Sequence, residues 1–459
     1  MSHPAHIPSA LAAVRGPVLF PGDDGFADEA AVFNTTVAHH PYVIVAATDA
    51  ADVRSAVRFA REEKRSVAVL NTGHGPSLSV PSEAVMITTR RMTGLKIDRE
   101  QRTARVEAGV TWGQVVEEAA KVGLAPLAGS SPQVGVVGYT LGGGVSITLG
   151  RAFGYAADHV RAIDIVTPDS EIRTVTADSA PDLFFALLGG KGNFGVVTAI
   201  EFSLFPVTEL YAGSLQFSGE NAREVLEAYR TLTAHAPDNL TSSVVFLRAP
   251  DLPFVPESMR GKLSIFVRFS HLGPAAEGET LIAPMRAVAP VLADTVTTMP
   301  VSRIATIAND PTDPGTAVEH FVTLDELSPS AVEAVIELAG PDSDGRITLV
   351  NLTQLGGAFG RPPEHPNAVR RDVAFAAFAL TAVPPGAPAL DRDPGLELAG
   401  RLTRLDGRKH PSYLSPADTS VESVRLAYDE PTYERLRAAK TRWDPQNMFR
   451  WNHNIPPQA

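Results

Sequence analysis

Asn71-Thr72-Gly73-His74-Gly75 follows directly on the apolar run Val67-Ala68-Val69-Leu70. Further along, a second glycine-rich stretch runs from Ser130-Ser131-Pro132-Gln133-Val134-Gly135 to Gly138-Tyr139-Thr140-Leu141-Gly142-Gly143-Gly144. Glycines at this density remove Cβ atoms and permit positive φ, so backbone N–H groups can close around a pyrophosphate. A third stretch, Gly189-Gly190-Lys191-Gly192-Asn193-Phe194-Gly195, leads into the apolar run Val196 to Phe202. Several backbone cradles in one unit suit a long dinucleotide carrying a pyrophosphate and an isoalloxazine ring. The competing reading is that the glycines serve tight turns and helix–sheet packing, with His74 an ordinary loop histidine.

The surroundings of these loops read as an α/β layered unit. Tyr42 to Val45 has the make-up of a strand, and Asp49 caps a helix whose Val53, Val57 and Ala60 share one face. Val67 to Leu70 is the next strand and delivers the chain to His74. Ala84 to Thr88 and Thr103 to Ala108 read as strands, followed by a capping box, Thr111-x-x-Gln114, opening a helix that ends near Gly123. Residues 161–166 and 172–175 form a hairpin about Thr167-Pro168-Asp169-Ser170, and Pro181 opens a helix through Leu188. Near Pro206 the character changes. From 207 to 410, strands such as 244–247 and 263–269 mix with helices near 220–234, 275–288 and 329–339, and Pro/Gly-rich connections interrupt at 309–315, 356–367 and 384–396. An antiparallel sheet with helices on one face fits that segment. Tyr433, Leu436, Ala439 and Trp443 recur at helical spacing up to Asp444-Pro445, and the aromatic tail Phe449 to Pro456 is expected to dock on the rest of the chain.

Composition narrows the function. The 459 residues are 44% hydrophobic and 20% charged, enough for a sizeable core in two or three domains. A formal net charge of -12 gives nucleic acid or an anionic membrane little reason to bind. With no cysteine, disulfides, iron–sulfur clusters, thiolate zinc sites and cysteine nucleophiles are all excluded. The start, Met1 to His6, lacks a basic leader, Leu11 to Val14 is too short for a signal-peptide core, and no apolar run approaches the roughly 18 residues of a membrane span, so a cytoplasmic location is the expectation.

Taken together, the Gly73-His74 loop, Ser130 to Gly144, Gly192-Asn193-Phe194-Gly195-Val196-Val197-Thr198 and Trp443-Asp444-Pro445-Gln446-Asn447-Met448-Phe449-Arg450 resemble the berberine-bridge-enzyme-like FAD-linked oxidases of the vanillyl-alcohol-oxidase superfamily. The flavour is that of the bacterial hydroxynicotine-oxidase-like branch, which also ends in an Asn-x-Asn-Ile tail. The resemblance implies an α+β fold: an FAD-binding PCMH-type domain of two small α/β subdomains (1–205), a substrate domain with an antiparallel sheet covered by helices (206–410), and a C-terminal segment (411–459) returning to the FAD domain.

The family implies a covalent bond from His74 to the C8-methyl carbon of FAD, formed when a neutral imidazole nitrogen adds to the electrophilic methide tautomer of the ring. Relatives often add a second link through a cysteine; here that place is Ser131, which leaves attachment through His74 only. Asn71 and Thr72 replace the family's usual arginine and glycine, so one cationic contact is lost. The cofactor set implied is Asn71, Thr72, Gly73, His74, Gly75, Ser131, Val134, Gly135, Gly138, Gly142, Gly143, Gly144, Asn193, Gly195, Val197, Asn452 and Asn454. Val134 falls where relatives control access of dioxygen, with simple core packing as the alternative.

Two tyrosines are the catalytic candidates. Tyr139 stands where relatives often have histidine, and a phenol there would donate to the reduced flavin, unless it merely packs against the glycine loop. Relatives that oxidise sugars or alcohols carry an Asn-Tyr pair in the strand before the last helix; the matching place is Ser415-Pro416, which leaves Tyr413 as the nearby phenol. Period-two alternation puts Asn351, Thr353 and Leu355 on one face, the expected substrate surface, with a neutral and mild pocket. The expected reaction is oxidation of a small, mostly apolar metabolite, with dioxygen as acceptor, by a monomer or homodimer. An oxygenating or cyclising flavoenzyme and a non-catalytic flavin-binding protein are the alternatives.

Overall fold

The computed structural model describes residues 7–75, 77–249, 257, 260–383, 392–403 and 407–458. Residues 1–6, on which the leader reading rested, and most of the 384–396 connection lie outside them.

Three sheets account for the strand-like runs. In the first, β1 (Val18–Leu19), β2 (Val43–Ala46), β3 (Val67–Leu70) and β4 (Val85–Thr88) lie in the order β1-β2-β4-β3, with β4 parallel to both neighbours. The crossover from β2 to β3 is the helix Ala50–Glu62. Asp49 caps it by accepting from the N–H groups of Ala51 and Asp52, and its Val53, Ala56, Val57 and Ala60 are buried with β2 and β4. Both β3 and β4 end beside each other, so the His74 loop leaves the carboxyl edge of a parallel sheet, where such sheets bind ligands.

The second sheet departs from the α/β expectation. β5 (Leu95–Asp98), β6 (Thr103–Glu107), β7 (Val160–Val166), β8 (Ile172–Val175) and β9 (Val196–Ser203) run β5-β6-β9-β7-β8 and are antiparallel throughout. β5 is short and half-exposed, so its Leu95-Lys96-Ile97-Asp98 alternation is too brief to stand out. The capping box at Thr111 forms as expected and opens the helix Trp112–Ala120. The Pro181 helix runs on to Gly190, with Leu188 and Gly189 non-helical inside it.

The third sheet has eight antiparallel strands: β10 (Glu209–Ser218), β11 (Leu240–Arg248), β12 (Leu263–His271), β13 (Val291–Asp294), β14 (Thr297–Pro300), β15 (Ala317–Leu324), β16 (Leu349–Gln354) and β17 (Phe375–Ala382). Their order is β13-β10-β12-β11-β16-β17-β15, with β14 also on β10. Alternation divides its faces. Phe217, Ile265, Val267, Val244, Val350, Leu352, Ala377 and Val322 point to the back, into a core closed by the helices Ala222–His235, Ala275–Ala287, Pro329–Ala339 and Pro394–Leu402. The front packs on the second sheet's unit through Ala212, Leu355 and Ala376.

Two buried cations hold these parts together. Arg151 donates to the carbonyls of Leu240 (2.8 Å), Ala236 (3.0 Å) and Leu355, closing the ends of β11 and β16 from the glycine-rich side. Lys440, on the last helix Glu430–Trp443, is fully buried and donates to Asp444 Oδ2 (2.7 Å) and to the carbonyls of Asn193 (2.6 Å) and Phe449 (3.0 Å). Asp444 in turn accepts from the N–H groups of Met448 and Phe449. The tail so aimed meets β3, where Val67 N–H donates to Met448 O (2.9 Å) and Trp451 Nε1 donates to Ser66 Oγ (2.6 Å). Among the described residues no helix is long and apolar enough to cross a membrane.

Removing one partner of a buried pair strands the other. Asp444→Ala is therefore expected to cost about 3–5 kcal/mol in urea unfolding. A loss within the range of an ordinary surface change would show that the pair is not what anchors the tail.

Candidate active site

His74 is the least satisfied side chain near the glycine loops. Both its ring nitrogens are buried without a hydrogen-bond partner, and its ring stacks on Phe33 with centroids 4.1 Å apart and 13° between planes. Burial pulls its pKa down to about 4, against a small opposing pull from Asp310, so the imidazole is neutral near pH 7. Gly73, at φ +70°, lies against Val32, where a Cβ would come within 2.7 Å of the Val32 Cα. Arg90 braces this loop by donating to the carbonyls of Asn71 (2.8 Å), Asp28 (2.9 Å) and Ala31. The two glycine loops meet directly. Gly135 N–H reaches Thr72 Oγ1 (3.4 Å), and Asn71 Nδ2, packed under Gly135, donates to Ala108 O (2.8 Å).

The glycines of the second loop divide into two kinds. Gly138 is exposed with nothing within 4 Å of where a Cβ would stand, so that stretch of backbone is open to a ligand. Gly143 and Gly144, at φ +118° and +77°, are buried against Ser412 and Val369 and against Tyr139 and Ala156, and Gly142 O accepts from Ser412 Oγ (2.8 Å). Packing therefore explains Gly142, Gly143 and Gly144, and no cradle is needed to account for them. Gly195 is likewise pressed on the Val166 carbonyl, and Val197 is buried in the core.

Several other expected ligands have their polar groups committed elsewhere. Asn193 donates to the carbonyls of Gly190 and His453 and accepts from Ile455 N–H, so its side chain ties loop to tail. Ser131 Oγ accepts from Gln133 N–H (3.4 Å), the half-buried Val134 is held through its backbone to Trp112, and Gly75 is exposed. Asn452 and Asn454 differ, because the amide oxygen of each is buried without a donor. They fit a group that brings hydroxyl donors to the two amides.

Of the two tyrosines, Tyr139 has no free hydroxyl. It donates to Leu127 O (3.1 Å), its ring is wedged between Trp112 and Gly129, and burial raises its pKa well above that of a free phenol. The catalytic role expected for Tyr139 gives way to packing. Tyr413 lies in the short turn Pro411–Tyr413 rather than in a strand, stacks on Phe321 (5.6 Å) and makes no hydrogen bond through its hydroxyl among the described residues.

Pairing places the front face of the third sheet in rows. One row is Gln216, Phe266, Val245, Asn351, Phe378 and Phe321; the next is Ser214, Arg268, Ser243, Thr353, Ala376 and Thr323. Asn351 and Thr353 share this face as alternation requires, but Leu355 is 1% exposed and fills the core between sheets, so it lines nothing. Nor is the face neutral. Arg268 donates to Ala308 O (2.9 Å), and Glu319, one row beyond Phe321, is pushed up to about 7 by burial. Alternation along β15 would have exposed Glu319 had that strand been recognised. Asn34, Phe33 and Arg90 left no local signal, because their partners are far away in the chain.

The first two glycine loops and the tail fall within recognisable matches. Residues 41–176 match the FAD binding domain model, and residues 418–456 match the model described as berberine and berberine like. (R)-6-Hydroxynicotine oxidase of Paenarthrobacter nicotinovorans is 28% identical, over 97% of this chain and 98% of that protein. The FAD-linked oxidoreductase YgaK of Bacillus subtilis (strain 168) is 26% identical over 97% of each. Among solved structures, 6-hydroxy-D-nicotine oxidase from Arthrobacter nicotinovorans aligns with a TM-score of 0.85 at 26% identity, over 97% of this chain and 99% of that one. The fold and the glycine loops thus define an FAD-binding redox enzyme. Through its two family matches and its full-length likeness to these proteins, the chain resembles the berberine-bridge-enzyme-like FAD-linked oxidoreductases.

Replacing each kind of glycine separates cradle from packing. Gly144→Ala, forced to positive φ and against Tyr139, is expected to cost about 2 kcal/mol or more. Gly138→Ala should leave the melting temperature unchanged or raised while lowering FAD content. The opposite ranking in thermal melts would reverse the assignment.

Proposed function

We propose that the protein is an oxidase of a small, mostly apolar metabolite that holds FAD covalently through His74 alone and passes electrons to dioxygen, giving hydrogen peroxide. The observation that carries the attachment is the His74 ring, neutral, buried, stacked on Phe33 and with neither nitrogen engaged. A neutral ring nitrogen has its lone pair free to bond a ring methyl carbon, which would lose a C–H proton while the flavin takes up the electron pair for dioxygen to remove, and burial of an unpaired imidazole is costly unless something completes it. Bound FAD supplies a hydride acceptor that no side chain can provide.

The protein's own residues do the rest. Gly138 and Gly75 leave the backbone open for the phosphates, while Asn452 and Asn454 offer unfilled amide oxygens for the hydroxyls of the linking chain. Asn351, Thr353, Phe321 and Phe378 would hold the substrate on the front of the third sheet, and the unbonded Tyr413 hydroxyl would orient it. Ser415-Pro416 holds no base; Ser415 Oγ donates to Asp418 Oδ2 (2.9 Å).

The mass of the intact, denatured protein should exceed that of the chain by one FAD, and His74→Ala should release the flavin on acid precipitation. A wild-type chain of unmodified mass, purified from flavin-replete cells, would remove covalent attachment. Tyr413→Phe is expected to lower kcat/KM by about ten- to a hundredfold, the worth of one hydrogen bond that orients the substrate, and an unchanged value would take Tyr413 out of the site.

A further inference from the structure

The front face of the third sheet carries a carboxylate that hydride transfer does not use. Glu319 is paired with Leu380 of β17 and shares its face with Phe321, two residues along β15. Phe321 stacks on Phe378 (centroids 4.4 Å, 13°) and on Tyr413 (5.6 Å, 25°), and all three rings are half-buried, so their faces and edges remain partly open. On its other flank Glu319 meets the side chain of Asn34, whose chain neighbour Phe33 stacks on His74. The carboxylate therefore lies beside the aromatic strip and on Asn34, while the carboxylate that acts on His74 itself is Asp310, which also acts on Arg268.

What Glu319 lacks is a counter-charge. The Asn34 amide is the one group that favours its ionised form, against the larger effect of burial, and among the described residues it makes no ion pair. Its neighbour His320 is paired with Asp393 (2.7 Å), on the face that carries the helices. His74, beyond Phe33, is neutral above about pH 4, and burial pushes the Tyr413 phenol upward. Leu380 and Leu349 complete its row with no charge. A structural tie to Asn34 would be served equally by glutamine, without the cost of burying an ionisable group. A desolvated, uncompensated carboxylate beside open aromatic rings matches an organic cation, since both attract positive charge.

We infer that Glu319 and the Phe321–Phe378–Tyr413 strip bind the ammonium head of a cationic substrate. This narrows the substrate class of the proposed oxidase and rests on the reading of the front face as its substrate surface. The apolar remainder of the substrate would then lie along the Asn351 row.

The test uses flavin-loaded protein and two probes, benzyltrimethylammonium, a fixed cation, and benzyl alcohol, its neutral comparator, titrated by calorimetry and by the flavin's visible absorption. Above pH 7 the cation should bind about tenfold more tightly than the alcohol, and its affinity should fall as pH drops through about 7, where Glu319 takes up a proton. Glu319→Gln should lose that advantage and the pH dependence together. It should also be more stable than the wild type above pH 7, because a carboxyl whose folded pKa is raised loses stability as pH rises through that window. Equal binding of the two probes, or undiminished cation binding by Glu319→Gln, would overturn the inference. So would a Glu319-dependent cation that leaves the flavin band undisturbed, since it would sit away from the flavin. A preparation with no flavin absorption at all fails the proposed function itself, and is seen before any titration.

Discussion

The buried pair between Lys440 and Asp444 is the interaction on which the rest of the structure depends. Neither residue is more than about 1% exposed, and burying two charges is repaid only when every lone pair and proton is used. Here they are. The ammonium makes three bonds, two of them to carbonyls of the third glycine loop and the tail, and the carboxylate accepts two tail N–H groups. The last helix is thereby joined to the glycine loop at Asn193 and to the tail at Phe449. Because Asn193 then holds His453 and Ile455, the same knot sets where Asn452 and Asn454 present their empty amide oxygens.

A second constraint acts between the sheets. Arg151 spends its guanidinium on carbonyls at the ends of β11 and β16, and the third sheet is thereby held with its polar front toward the glycine loops. That orientation gives the two faces different tasks. The back is closed by helices and is largely apolar, with polar groups at Ser242, Gln354 and the His320–Asp393 pair, whereas the front carries Asn351, Thr353, Arg268 and Glu319. The segment Phe33 to Thr35 completes the arrangement. It bonds to Gly315 on one side and Gly73 on the other, joining the His74 loop to the entry of β15.

Much of this was legible in residues whose partners are close in the chain. The Asp49 cap, the Thr111–Gln114 box, the β3 strand ahead of His74 and the last helix up to Asp444-Pro445 all formed where their local pattern put them. Asn351 and Thr353 were assigned a common face correctly because alternation along one strand is a local property. Leu355 obeys the same alternation, yet it ends in the core, since burial depends on what lies opposite. Glycines show the same limit. Their permissiveness is visible in sequence, but whether each faces open space, as Gly138 does, or a neighbouring side chain, as Gly144 does, is a matter of packing.

By itself the amino-acid sequence determined the family motifs, the FAD-binding character and the absence of any thiol chemistry, and it singled out His74 in its loop, because these rest on residue types and short spacings. Tertiary structure alone decided that Tyr139 is a packing residue, that the third sheet shows its polar face to the loops, and that Glu319 is buried beside Asn34 without a counter-charge. The reason is distance along the chain. Asn34 and Glu319 belong to segments joined across the bridge from Asn34 to Gly315, and the energy of a buried charge is set by such remote neighbours rather than by its own strand.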